Sequence, residues 1–127
     1  MKLRIKGNSL RLRLQRSEIA ALQETGEVAD QITFGPAAHQ TLRYMIEVGE
    51  GDTIEVIYVP ATLRVRMPRT DVETWATTDR VGFEATLENG TDDPLSVLLE
   101  KDFKCLVDRP GEDETDAYEN PAGPGHC

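Results

Sequence analysis

The sequence predicts a mainly β (α+β) domain made of two β-β-α-β-β units, arranged as a barrel or as paired sheets and followed by an irregular acidic C-terminal tail. Three observations lead there. Aliphatic residues alternate with charged ones in short runs, the period of a half-buried strand. A shift of 53 residues lays the first half of the chain on the second without a gap. Acids, prolines and glycines then crowd residues 107–127 with no aliphatic period, the composition of an irregular segment.

The first unit opens on Lys2-Leu3-Arg4-Ile5-Lys6, in which Leu3 and Ile5 take one face and the three bases the other. Gly7-Asn8-Ser9 is a turn, and Leu10, Leu12 and Leu14 alternate with Arg11 and Arg13 in the strand that follows. Ser17 suits a helix N-cap, Glu18 suits the positive helix end, and Ile19 with Leu22 gives an apolar stripe. Gly26 closes the helix as a C-cap. Two more strands are expected, around Val28–Phe34 and Leu42–Val48, joined through Gly35-Pro36.

The second unit repeats the plan with strands near Thr53–Val59 and Leu63–Met67, a Thr70-capped helix carrying Val72 and Trp75, and strands near Val81–Leu87 and Leu95–Glu100 linked through Asn89-Gly90. Under the shift, Leu10-Arg11-Leu12-Arg13-Leu14 falls on Leu63-Arg64-Val65-Arg66-Met67, and Arg16-Ser17-Glu18-Ile19 on Arg69-Thr70-Asp71-Val72. Leu22 meets Trp75, Val28 meets Val81, Thr33 meets Thr86, Leu42 meets Leu95 and Glu47 meets Glu100. Strand, cap and helix positions agree in one register, which points to an internal duplication with repeats at about 2–48 and 55–101.

Length and composition bound the function. At 127 residues and 14.1 kDa the chain is one domain. Hydrophobic residues make up 39% and charged ones 29%, too apolar for wholesale disorder. No apolar run approaches the roughly 18 residues of a membrane span. The start of the chain lacks a secretory h-region, so a cytoplasmic location is expected. Fourteen basic and 23 acidic residues give a net charge of −9, which argues against generic wrapping of nucleic acid. Residues 107–127 hold six acids (Asp108, Glu112, Asp113, Glu114, Asp116 and Glu119) against the one base Arg109, a net of −5. The expected division is therefore a duplicated body over 1–106 and a tail over 107–127.

Motifs for catalysis are sparse. There is no Gly-x-Gly-x-x-Gly, no phosphate loop and no Gly-x-Ser-x-Gly elbow, so no catalytic residue is assigned. Only His39 and His126 offer imidazoles. Two constellations could carry chemistry. Alternation sets Arg11, Arg13, Arg64 and Arg66 on faces opposite their aliphatic neighbours, a candidate anion-binding set, with Lys2, Arg4 and Lys6 nearby. Glu47, Glu84, Glu88 and Glu100 have matching phase, and cross-strand Arg–Glu pairing on a solvated face is the simpler expectation. The second constellation is Cys105, His126 and Cys127, a soft Cys2His set suited to zinc or copper. A Cys105–Cys127 disulfide and two unrelated thiols are the other readings of the same residues.

Three resemblances add to this. Gly7-Asn8-Ser9-Leu10-Arg11-Leu12-Arg13-Leu14 followed by a short helix resembles the start of AbrB/MazE-type swapped-hairpin domains, which implies two small units pairing into one barrel. It also implies operator DNA as a partner through basic strands, here Lys2, Arg4, Lys6, Arg11 and Arg13. Duplicated four-stranded halves with an inward charged face would resemble triphosphate tunnel enzymes, although their Glu-x-Glu-x-Lys strand is here Lys2-x-Arg4-x-Lys6. Finally, nearly the whole chain resembles an uncharacterised small bacterial family, a domain of unknown function. That resemblance is carried by Lys2-Leu3-Arg4-Ile5, Lys6-Gly7-Asn8-Ser9-Leu10-Arg11, Glu100-Lys101-Asp102-Phe103-Lys104-Cys105-Leu106, Arg109, Glu112-Asp113-Glu114, Tyr118 and Asn120-Pro121. It implies no mechanism.

The function expected from the sequence is a non-enzymatic binding or interaction module, with a protein or a small anion as partner. The alternatives are zinc or copper binding at the C-terminal thiols, AbrB-like DNA binding, and a phosphate-ester enzyme using the Arg/Glu face.

Overall fold

The computed structural model describes residues 1–103. In chain order the elements are β1 (Lys2–Lys6), β2 (Ser9–Leu14), α1 (Arg16–Thr25), β3 (Glu27–Thr33), β4 (Thr41–Gly49), β5 (Glu55–Val59), β6 (Thr62–Pro68), α2 (Arg69–Thr77), β7 (Gly82–Leu87) and β8 (Leu95–Lys101). The strands form two four-stranded sheets, ordered β1-β2-β8-β7 and β3-β4-β6-β5. Each sheet takes one hairpin from each half of the chain. The central pairs β2–β8 and β4–β6 are parallel, and the outer pairs are antiparallel. Of the two expected arrangements the paired sheets form and the closed barrel does not, because among the described residues no ladder joins β1 to β3 or β5 to β7. The β1/β3 seam is crossed by other contacts: the Met1 amino group pairs with Glu18 and lies 3.6 Å from Asp30.

The exchange leaves each half with two hairpins that complete their sheets only with hairpins of the other half, and a two-stranded hairpin by itself is marginally stable at best. The pairing registers correspond between the halves. Leu12 lies beside Leu99 in one central pair, and Ile46 beside Val65 in the other, as the shift of 53 requires. Lys2↔Arg13 and Glu55↔Arg66 correspond in the same way. β3 and β7 depart from it. Val28 pairs with Ile46, whereas Phe83 pairs with Leu99, so Val28 corresponds to Phe83 and not to Val81. The Thr33–Thr86 match fails for the same reason.

The cause is the helix exit. After α1, Gly26 at φ 86° turns the chain straight into β3, and its carbonyl accepts from the Val48 amide at 2.8 Å. At the end of α2 the C-cap is Thr78 and not a glycine; the chain runs through Thr78–Val81, and Val81 takes over the role of Gly26, accepting from the Lys101 amide at 2.9 Å. Two residues are inserted there and recovered in the next loop. Because the slip is even, every side chain keeps its face.

The helix starts also differ from expectation. α1 begins at Arg16 with Gln15 as N-cap, and α2 begins at Arg69 after Pro68, so Ser17 and Thr70 lie inside the first turns. Glu18 decides the first case: its carboxylate accepts from the Gln15 amide at 2.9 Å, closing a box around the N-terminal turn.

One core lies between the sheets and under the helices. Leu12, Leu14, Val97, Leu99 and Phe83 come from one sheet, Ile46, Val65 and Met67 from the other, and Ile19, Leu22, Val72 and Trp75 from the helices. Leu12 and Val65 are both fully buried, as are Leu22 and Trp75. Trp75 meets Phe83 edge-on at 6.0 Å, and its indole N–H donates to the Val81 carbonyl at 3.1 Å.

Candidate functional site

Burial of Leu12, Leu14, Val65 and Met67 forces Arg11, Arg13, Arg64 and Arg66 onto the outer faces of the two sheets. The inward charged face of a tunnel is therefore absent, and the sheets meet through hydrocarbon. The four arginines do not converge. They form two triads, one per sheet, each built from both halves of the chain. On one sheet Arg11 and Arg13 of β2 donate through Nε to Glu100 Oε1 of β8, both at 2.6 Å. On the other, Arg64 Nη2 of β6 lies 2.8 Å from Glu47 Oε1 of β4, and Arg66 Nη2 donates to that same oxygen at 3.1 Å. Arg11, Arg64 and their neighbours thus occupy matched positions around matched glutamates.

Both glutamates are largely covered, with side chains 15% and 14% exposed for Glu47 and Glu100. Burial alone would push each carboxyl up. The arginine hydrogen bonds and charges outweigh it and hold both below the ordinary carboxylate value. Elsewhere, burial and the nearby Asp30 and Glu18 push the Tyr44 hydroxyl up.

Beside the triads the two sheets differ. On β1, Lys2 lies directly across from Arg13, Arg4 across from Arg11, and Lys6 across from Ser9. Directly opposed residues share a face, so the outer face of the β1–β2 hairpin carries five cations. The corresponding hairpin β5–β6 carries Glu55, Ile57 and Val59 opposite Arg66, Arg64 and Thr62. There Glu55 accepts from Arg66 at 3.5 Å. On the basic hairpin the charges are like, and like charges directly opposed across a ladder are destabilising. Lys2 reaches Asp102 at 2.9 Å. Among the described residues, Arg4 and Lys6 have no ion pair, and both are exposed.

The basic hairpin is partly legible in the sequence. Lys2, Arg4 and Lys6 stand out there, whereas their placement across from Arg13 and Arg11 emerges only in the ladder. The signal that could have found it is the turn: Gly7, at φ 54°, makes a two-residue connection that sets Lys6 against Ser9 and fixes all the rest. The candidate metal set Cys105, His126 and Cys127 lies outside the described residues, as does the tail over 107–127. Among the described residues no cluster of three or more metal-ligating side chains occurs, and no helix is long and apolar enough to cross a membrane.

A family model described as Family of unknown function (DUF7009) matches residues 1–122. No curated protein and no solved structure matches the chain.

Proposed function

The chain belongs to the Family of unknown function (DUF7009), which brings no activity with it, and we propose from its own residues that it is a cytoplasmic binding module whose basic β1–β2 face holds an acidic segment of a partner protein. The observation carrying this is the one-sided cation cluster. Two hairpins occupy equivalent places in the fold, and only one stacks Lys2 on Arg13 and Arg4 on Arg11. In a chain of net charge −9, one hairpin is balanced by Glu47 and Glu55 while Arg4 and Lys6 of the other have no ion pair among the described residues, which supports an anionic counterpart there.

The size of the face favours a peptide over duplex nucleic acid. β1 is five residues long, about 17 Å at roughly 3.4 Å per residue. That suits one short extended acidic segment, and β1 lies at a sheet edge where such a segment can lie along it. Its lysines and arginine also discourage pairing with a second copy of the same strand. Arg11 and Arg13 sit deeper, clamped on Glu100, and fix the hairpin's outer face. In this reading Lys2, Arg4 and Lys6 contact the partner, Arg11 and Arg13 are positioning residues, and Arg64 and Arg66 on the other sheet take no part.

The test is a titration with a fluorescein-labelled oligo-glutamate peptide and, separately, with duplex DNA, over a range of salt. Salt-sensitive binding of the peptide is expected, lost in Arg4→Glu/Lys6→Glu and kept in Arg43→Glu on the other sheet. Failure of both the wild-type chain and a chain with the six tail acids neutralised to bind the peptide would overturn the proposal. Tighter binding of DNA than of peptide would overturn it in favour of a nucleic-acid partner.

A further inference from the structure

Resting on that reading, we propose that the acidic stretch Asp108–Glu119 of this same chain is a built-in competitor for the basic β1–β2 face, so that a partner must displace it. The placement of the two ends supports this. β8 runs parallel to β2 and finishes at the same end of the sheet, with Lys101 beside Leu14. The Asp102 amide donates to the Leu14 carbonyl at 2.8 Å, and the Asp102 carboxylate pairs with Lys2. The chain therefore leaves the second half of the fold at the first residue of the basic strand, already engaged with it.

The position corresponding to Asp102 in the first half is Gly49, where a side chain would run into the Arg66 stem. The handover from β8 to the basic strand is thus absent from the other sheet, just as the cation cluster is. Beyond Asp102 come Asp108, Glu112, Asp113, Glu114, Asp116 and Glu119, opposed by Lys104 and Arg109 alone. At about 3.3 Å per extended residue, the stretch after Phe103 can cover the roughly 17 Å of β1 before Glu112 is reached. A tether this short holds the acids at an effective concentration on the order of mM. A contact that would be weak between separate molecules then suffices to compete.

The experiment uses the full chain and two readouts. In the first, carbodiimide joins carboxylates to neighbouring lysines without a spacer, and peptide mapping finds the joins. Intramolecular links from Lys2 or Lys6 to residues 108–119 are expected, fading as salt rises. In the second, the labelled oligo-glutamate is titrated against wild type and against the variant Asp108→Asn, Glu112→Gln, Asp113→Asn, Glu114→Gln, Asp116→Asn, Glu119→Gln. The variant is expected to bind at least about tenfold more tightly. Equal affinities, or no intramolecular links to β1, would overturn the competitor while leaving the basic-face reading intact. If neither chain binds the peptide, the basic-face reading itself fails.

Discussion

Glu47 and Glu100 each hold two arginines that would otherwise repel, so each glutamate matters more than a single surface ion pair. Their side chains are mostly covered, which places the cost of removal between the exposed limit near 0–1 kcal/mol and the buried limit near 3–5 kcal/mol. Glu100→Gln and Glu47→Gln should each lower unfolding stability by about 1–3 kcal/mol in urea titrations at neutral pH. The pH dependence has a definite sign. Both carboxyls are held below their ordinary value in the folded chain. Their contribution is therefore complete above the ordinary carboxylate range and is lost as pH falls through the lowered values. The variants should show a shallower loss of stability on acidification than wild type. An acid limb identical to wild type in both variants would show that the glutamates do not carry the arginines.

At the level of elements, the two helix exits show what a single glycine does. Gly26 sits at φ 86°, where an L side chain is strained, and the β3 register depends on the turn it makes. Gly26→Ala should cost about 1 kcal/mol, measured by thermal or urea unfolding, whereas Thr78→Ala at the corresponding exit, with φ −125°, should cost no backbone strain. A Gly26→Ala chain as stable as wild type would contradict the assignment.

The same contrast shows how far the sequence could be read. Strands, helices and the shift of 53 were legible because alternating Leu and Arg, and the Leu22/Trp75 stripe, are local patterns. The β3/β7 slip was not, because Val28–Val81 and Thr33–Thr86 match by residue type while the ladder places Phe83 opposite Leu99. The choice between barrel and paired sheets was also hidden. It depends on which strand edges meet, and no residue in β1 or β3 encodes that. Of the candidate site, the four arginines and their glutamates were visible by phase. Their separation onto two sheets was not, since it follows from the hairpin swap.

For the whole molecule, the hairpin swap ties the two halves into one cooperative unit. Helices from both halves pack over a core supplied by both sheets, so damage to either half should unfold everything. Trp75→Ala and Leu22→Ala remove fully buried side chains at corresponding positions. They should cost about 3–5 and 2–5 kcal/mol respectively, each within a single transition followed by circular dichroism and fluorescence alike. Separate transitions for the two halves would contradict the shared core.

Against that near-symmetric frame stands a marked asymmetry of charge, a hairpin face whose cations oppose one another. Arg4 lies across from Arg11, so replacing it by an acid turns a repulsive pair into an attractive one, a gain of about 0.2–1 kcal/mol in stability. If the cations are kept for binding, the same change must harm function. The most direct measurement is therefore the affinity of Arg4→Glu for labelled oligo-glutamate, taken beside its unfolding stability. If the cations serve binding, this variant is as stable as wild type or more so and has lost at least about tenfold in affinity. Unchanged affinity in a stably folded variant would contradict that role.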